Sequence, residues 1–306
     1  MKSYLCAFEA VNLDNLFGDC QDLNTTRGGG LAVLEIANKV AEALHLEPIS
    51  AGASQGLVRI EGTDPAAVEK SIREELDKLD LAAHTTIMVS ACEEEGEEDF
   101  PRQLAMLKAR MRWSQMQSPS VVYPKLHGRL VCDIDRVRPA VRRRDLEEKE
   151  NQSDFSHDRR EVGKDAKKGL LRRILRNVVS SEFAAVKDLN QLADDNGRYG
   201  NAGDKIAVIR FDGNKFGERV AACVTPDSLK KFSRTTRDRQ EGFFRSLINS
   251  EKGSVWFTDH SPPGIRLEVV VYGGDEVAFI TPAWFIAVQI SGVGEAGLKS
   301  EKEPSL

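Results

Sequence analysis

No run of about 18 apolar residues occurs in the 306-residue chain, so no transmembrane helix and no membrane partner are expected. Cysteine is scarce. Cys6, Cys20, Cys92, Cys132 and Cys223 are odd in number and form no Cys-x-x-Cys, which argues against a disulfide framework or a complete zinc site and for a reducing, cytoplasmic setting. The first residues, Met1-Lys2-Ser3-Tyr4, enter a strand-like segment instead of a signal peptide. Histidine is also rare, and His157-Asp158 stands in a charged segment without partner histidines, so it does not make a nuclease site. What remains is a soluble composition, 41% hydrophobic and 30% charged, long enough for two ordinary domains.

Charge is present but uneven. Between Arg136 and Arg176 there are 14 Lys/Arg and 8 Asp/Glu, a surplus of six, so the rest of this −5 chain carries a deficit of eleven. Such a segment can meet the phosphates of RNA. It is equally the composition of a solvated helical connector, and its few aromatics weaken a case for stacking on single-stranded bases.

The chemistry is densest at Tyr272-Gly273-Gly274-Asp275-Glu276-Val277. Apolar runs on both sides read as strands and Gly-Gly-Asp as turn chemistry, which predicts a β-hairpin with a carboxylate pair at its tip. Adjacent acids repel unless they are solvated or hold a cation. A second strand, Ile206 to Asp212, also ends in an acid and continues as Gly213-Asn214-Lys215-Phe216-Gly217. Pairing these strands would bring Asp212 beside Asp275, the carboxylate arrangement of a two-metal phosphoryl-transfer site. Taken singly, each piece is also ordinary turn or cap chemistry.

Along the chain, residues 3–92 read as β-α-β-β-α-β, the ferredoxin-like pattern. The expected helices are Leu31 to Leu44 and Asp64-Pro65 to Leu79, and the expected strands flank a Ser54-Gln55-Gly56 turn that carries no acid. Pro101 to Met116 reads as a helix, residues 137–168 as charged and partly mobile, and Leu170 to Val179 and Glu182 to Ala193 as short helices. From about Lys205 the pattern restarts as β-α-β-β. Its helix runs from Thr225-Pro226-Asp227 to Asn249, burying Leu229, Phe232, Phe243, Leu247 and Ile248. The fold expected is therefore α+β, with two ferredoxin-like units from an internal duplication. The expected domains are 1–95, a charged helical connector at 96–200, and 201–306. Phe285 to Leu306 is weakly patterned, so the second unit reads as truncated or divergent at its C-terminus.

The motifs, in their order, resemble the large palm-containing subunit of type III CRISPR effector complexes and its stand-alone bacterial relatives. Arg27-Gly28-Gly29-Gly30 resembles the family's Arg-Gly-Gly-Ser turn entering the first palm helix. Cys132 to Ala140 resembles its inter-palm cysteine knuckle ending in Arg-Pro-Ala. Ile206 to Gly217 and Leu267 to Trp284 resemble the catalytic strand and the Gly-Gly-Asp-Asp/Glu hairpin followed by Pro-Ala-Trp. The resemblance covers residues 3–284. Asn214 stands where many palms carry an acid, and Cys132 alone cannot hold zinc.

The resemblance implies conversion of ATP to cyclic oligoadenylate in antiviral defence, with Mg²⁺ or Mn²⁺ as cofactor. Carried over by position, Asp212, Asp275 and Glu276 are catalytic, and Asp212, Gly213 (through its carbonyl) and Asp275 bind metal. Gly213, Asn214, Phe216, Gly217, Gly273 and Gly274 would surround the nucleotide, although Phe216 also suits a core. The implied partners are a nucleoside triphosphate, RNA through 136–176, other effector subunits or a second copy of the chain. Two other functions stay open: a catalytically impaired palm scaffold binding RNA or protein, and a diguanylate cyclase.

Overall fold

The computed structural model describes residues 2–13, 20, 22–52, 54–79, 85–118, 130–144, 150–175, 183–186, 188–248, 256–258 and 262–286. It is an α+β architecture built on two antiparallel sheets. The first half runs β1 (Lys2–Val11), α1 (Leu23–Ala43), β2 (Pro48–Gly52), β3 (Gln55–Gly62), α2 (Pro65–Leu76) and β4 (Thr86–Glu93). Its strand order is β2-β3-β1-β4, all antiparallel, which is the ferredoxin-like arrangement. β1 lies between two partners and under helices, so from Tyr4 to Val11 it is buried without interruption. Asp64 caps α2, accepting from Ala67 N–H at 2.9 Å, and Pro65 opens it.

Next come α3 (Phe100–Gln117), a small hairpin of β5 (Arg142–Arg144) and β6 (Glu150–Gln152), α4 (Asp154–Ile174), β7 (Ala184–Ala185) and α5 (Leu189–Ala193). The second half is β8 (Ile206–Asp212), α6 (Phe216–Ala221), α7 (Pro226–Ile248), β9 (Gly264–Ile265), β10 (Glu268–Gly273) and β11 (Glu276–Pro282). Its main sheet has the order β10-β11-β8, matching β2-β3-β1 of the first half. The match extends to an irregularity. Register slips at Ile49, between Pro48 and Ser50, and at Val270, between Val269 and Val271. Both bulges precede their turn by the same number of residues. The two hairpins therefore share both strand order and bulge position. No strand corresponding to β4 lies against β8 among the described residues, and Val208 on that strand is 68% exposed. Residues 287–306, expected to be divergent, lie outside the described residues.

Several expectations change. α1 begins at Leu23, eight residues early, because Asp22 caps it by accepting from Thr25 N–H at 2.8 Å. Arg27-Gly28-Gly29-Gly30 is thus helix, not turn. Its glycines serve a crossing. A Cβ on Gly28 would stand 1.7 Å from the Arg159 carbonyl oxygen, and one on Gly163 would stand 2.0 Å from that of Asn24. α1 and α4 therefore touch backbone to backbone.

The charged stretch expected to be partly mobile is, from 154 to 174, the ordered helix α4, capped by Ser153. It holds because its apolar residues Phe155, Leu170, Leu171 and Ile174 face inward and Arg159 and Lys167 are buried among packed elements. The short helix expected from Leu170 is the end of α4. The one expected from Glu182 to Ala193 is only α5, preceded by β7, which pairs with β9; residues 176–182 lie outside the described residues. On α7 the buried face is Leu229, Phe244 and Ile248, whereas Phe243, expected in the core, is 40% exposed. Near Cys132 the chain is tied by Asp135, which accepts from Val137 and Arg138 N–H and from the hydroxyls of Ser153 and Ser156. These bonds hold the Asp135 carboxyl below its usual range against the opposing effect of burial.

Candidate active site

The second-half tip follows from backbone chemistry. Gly273 (φ 144°) and Gly274 (φ 63°) adopt conformations that other residues avoid, and β10 reverses into β11 through them. At the end of β8, Gly213 N–H donates to the Asp275 carbonyl at 2.9 Å. A Cβ on Gly213 would lie 2.8 Å from that of Asp275, so the strand end and the turn close on each other only with glycine there.

That closure brings Asp212 and Asp275 together, close enough for the charge of Asp212 to act on Asp275. The Asp275 carboxyl is held above its ordinary range, first by burial, then by the negative charge and contact of Asp212, with Glu276 adding to it. Glu276 stands opposite Asp212 in register, but its carboxylate pairs with Arg210 at 2.6 Å. Asn214 is exposed beside the tip. Phe216 packs on Phe232, ring centres 5.2 Å apart.

Phe216, Gly217, Gly273, Gly274 and Asp275 line a cleft of about 290 Å³ between the two sheets. The first-half tip reaches it too: Gly52 is close enough to Gly274 that its Cβ would be 3.9 Å from the Gly274 Cα. Its lining includes the apolar Phe8, Leu57, Met111 and Phe232 and the polar or charged Asn38, Lys108, Arg173, Arg237, Gln240 and Tyr272.

Among the described residues no group of three or more His, Cys, Asp or Glu could cage a metal. Two carboxylates suit a cation that also takes ligands from a substrate. Mg²⁺ is usually held by one or two carboxylates with waters and phosphates completing its octahedron. The repulsion from Asp212 that adds to the effect of burial on Asp275 is what such a cation would relieve, so the residues present fit the group.

Sequence reading missed the helix wall of this cleft. Gln240 donates from its side-chain amide to the Gly274 carbonyl at 3.0 Å, and Arg173 on α4 donates to Glu35 on α1 at 3.0 Å. The signal was the i, i+4 spacing of Phe232, Thr236 and Gln240 on one face of α7. Part of the basic segment is turned inward, while Arg136, Arg142, Lys164, Lys168 and Arg172 are exposed. Lys167 is buried, Arg160 pairs with Asp22 and Arg173 pairs with Glu35. No described helix is long and apolar enough to cross a membrane.

No protein-family model matches the chain, and no curated protein matches it. Solved structures do. A Csm1-Csm4 cassette in complex with cA4 aligns with a TM-score of 0.54 at 14% identity, covering 93% of this chain and 46% of that one. Csm1 in T. onnurineus aligns with 0.53 at 14%, covering 93% and 45%. The Csm1-Csm4 subcomplex in the type III-A CRISPR-Csm interference complex aligns with 0.53 at 11%, covering 93% and 46%. The chain spans less than half the length of these proteins, and at such identity the likeness is one of fold.

Proposed function

We propose that the chain is a metal-dependent nucleotidyltransferase that converts ATP to cyclic oligoadenylate in CRISPR-type defence. The observation that carries this reading is the Asp212–Asp275 carboxyl pair on a Gly-Gly-Asp tip that opens into the inter-sheet cleft. The shared fold with Csm1, one structure of which is in complex with cA4, supports the substrate class. Asp212 and Asp275 would hold Mg²⁺ or Mn²⁺ through carboxylate oxygens, with the Gly213 carbonyl assisting. A cation there, bound with a triphosphate, lowers the charge that opposes attack by a 3′-hydroxyl. Gly217 leaves open space where a Cβ would stand, and the glycine turn lets phosphate or ribose approach the backbone. Glu276, tied to Arg210, steadies the strand pair behind Asp212.

Turnover of ATP, with Mg²⁺ and then Mn²⁺, tests the reading when products are separated by chromatography. Asp275→Asn keeps the shape and removes the charge, and should lower turnover by about 10²-fold or more. Equal turnover by the variant would mean the chemistry lies elsewhere. GTP run in parallel tests the diguanylate cyclase reading.

A second reading is favoured by β8, which has a partner on one side only among the described residues and exposes Ile206 and Val208. In that reading the chain is a palm scaffold whose open edge and basic segment contact other effector subunits, a second copy or RNA. No turnover by the wild type, together with salt-sensitive RNA retention, would favour it.

A further inference from the structure

The charges that line the cleft do not cancel one another. Among the described residues they are Glu35, Lys108, Arg173, Arg237 and Asp275. Glu35 is taken up by Arg173 at 3.0 Å, and Arg173 also reaches Glu241, which pairs in turn with Arg245. Lys108 is exposed on α3. Arg237 is half-buried and has no carboxylate partner among the described residues. Its guanidinium donates to the Ala51 carbonyl at 2.9 Å, and Ala51 itself lines the cleft. That bond engages one of five N–H donors. The charges that act most on Asp275 are those of Asp212 and Glu276, both negative.

The place of Arg237 follows from α7. Arg237 and Gln240 are three residues apart and share a face of that helix. Arg237 holds the Ala51 carbonyl, one residue before Gly52 on the first hairpin, and Gln240 holds the Gly274 carbonyl on the second. The two hairpins meet at this point, since a Cβ on Gly52 would lie 3.9 Å from the Gly274 Cα. The charge of Arg237 also acts on Tyr272, the residue before the glycine turn, where it opposes the rise caused by burial. The guanidinium therefore stands at the seam between the hairpins, near the turn that carries Asp275. A cation without a carboxylate and an acid pair without a cation, lining one cleft, suit a metal-bound polyphosphate. The metal would join the carboxylates to some phosphate oxygens, and the planar guanidinium fork would take others.

We propose that Arg237 binds the triphosphate of the nucleotide at this seam, and so ties the first hairpin to a substrate whose metal is held by the second. This rests on the nucleotide reading above, and its test separates the two. Affinity is measured by calorimetry on the full chain with Mg²⁺, at low and at raised salt, for ATP and for inorganic triphosphate. Arg237→Gln should weaken both probes alike, by about tenfold to a hundredfold, the size of charge-assisted hydrogen bonds. It should also make the remaining affinity less sensitive to salt, because a screened charge pair has gone. Arg237→Lys keeps the charge and loses the fork, so its affinity should fall between those of Arg237→Gln and the wild type. A residue that only held the Ala51 carbonyl would leave the salt dependence as it is. Unchanged affinity in Arg237→Gln, or a loss with unchanged salt dependence, would overturn the role of Arg237, while ATP binding by the wild type keeps the nucleotide site standing. If the wild type binds neither probe, both are overturned.

Discussion

Glu9 and Asp212 occupy the same place in their two sheets. Each stands opposite the first residue after the hairpin turn, Gln55 in one case and Glu276 in the other. The next residue in each strand, Ala10 or Gly213, donates its N–H to the turn, to Ser54 at 2.8 Å and to Asp275 at 2.9 Å. The backbones are therefore alike, and the difference lies in the side chains. In the first half the turn offers Ser54 instead of an acid, and Glu9 is neutralised by Arg112 at 2.8 Å and by the Gln55 amide at 3.2 Å. In the second half two carboxyl groups face each other, and Asp275 is raised by burial and by Asp212. Beside one hairpin the strand-end acid is paired with Arg112; beside the other a charge conflict remains, which a cation would resolve.

The comparison extends to the base of each hairpin. Glu47 and Glu268 occupy equivalent positions just before the two bulges, and each pairs with cations from the other half's long helix. Glu47 meets Lys230 and Arg234 on α7; Glu268 meets Arg27 on α1 and also Lys167 on α4. The Glu47 side chain is 58% exposed and that of Glu268 only 3%. Burial decides the value of such pairs. Glu268→Ala leaves Arg27 and Lys167 buried without their anion and should cost about 3–5 kcal/mol in denaturant unfolding. Glu47→Ala should barely move the unfolding midpoint. Equal losses would break the claim that only the second hairpin is anchored in the interior.

Gly28→Ala should come next in size. Its methyl would collide with the Arg159 carbonyl and part α1 from α4, at a cost of about 1–3 kcal/mol by thermal unfolding. An unchanged midpoint would mean that the crossing is looser than described. The effect on the active tip in metal-free protein is smaller. Between the ordinary Asp value of 3.8 and its raised native value, Asp275 keeps a proton in the folded state that the unfolded chain has released. Metal-free stability should therefore fall as pH rises across that window. Asp275→Asn should remove this dependence and, with chelator at neutral pH, slightly raise the melting temperature. Smallest of all, Glu9→Gln should cost no more than about 1 kcal/mol, since Arg112 remains solvated.

Much of this was legible in the sequence, for identifiable reasons. Alternating and capped segments placed β8, α7 and the Gly-Gly-Asp hairpin, and two strand-end acids were enough to suggest that they meet. The duplication was visible as repeated element order, but its register was not. The equivalence runs from Gly52 to Gly273, two residues from a match on the Ser54-Gln55-Gly56 turn, and only the paired bulges fix it. α4 was misread because its charge hid its inward face; whether Lys167 is solvated or bound to Glu268 depends on contacts across 101 residues. The Arg-Gly-Gly-Gly run was misread because glycine signals a turn locally, whereas here it makes room for a distant helix.

Binding of Mn²⁺ with ATP, followed by electron paramagnetic resonance, tests the contrast between the two tips most directly. The cation signal should be lost from solution with the wild type and with Glu9→Gln, and should remain with Asp275→Asn. Retention of binding by Asp275→Asn, or its loss in Glu9→Gln, would contradict the assignment of the cation to the second hairpin.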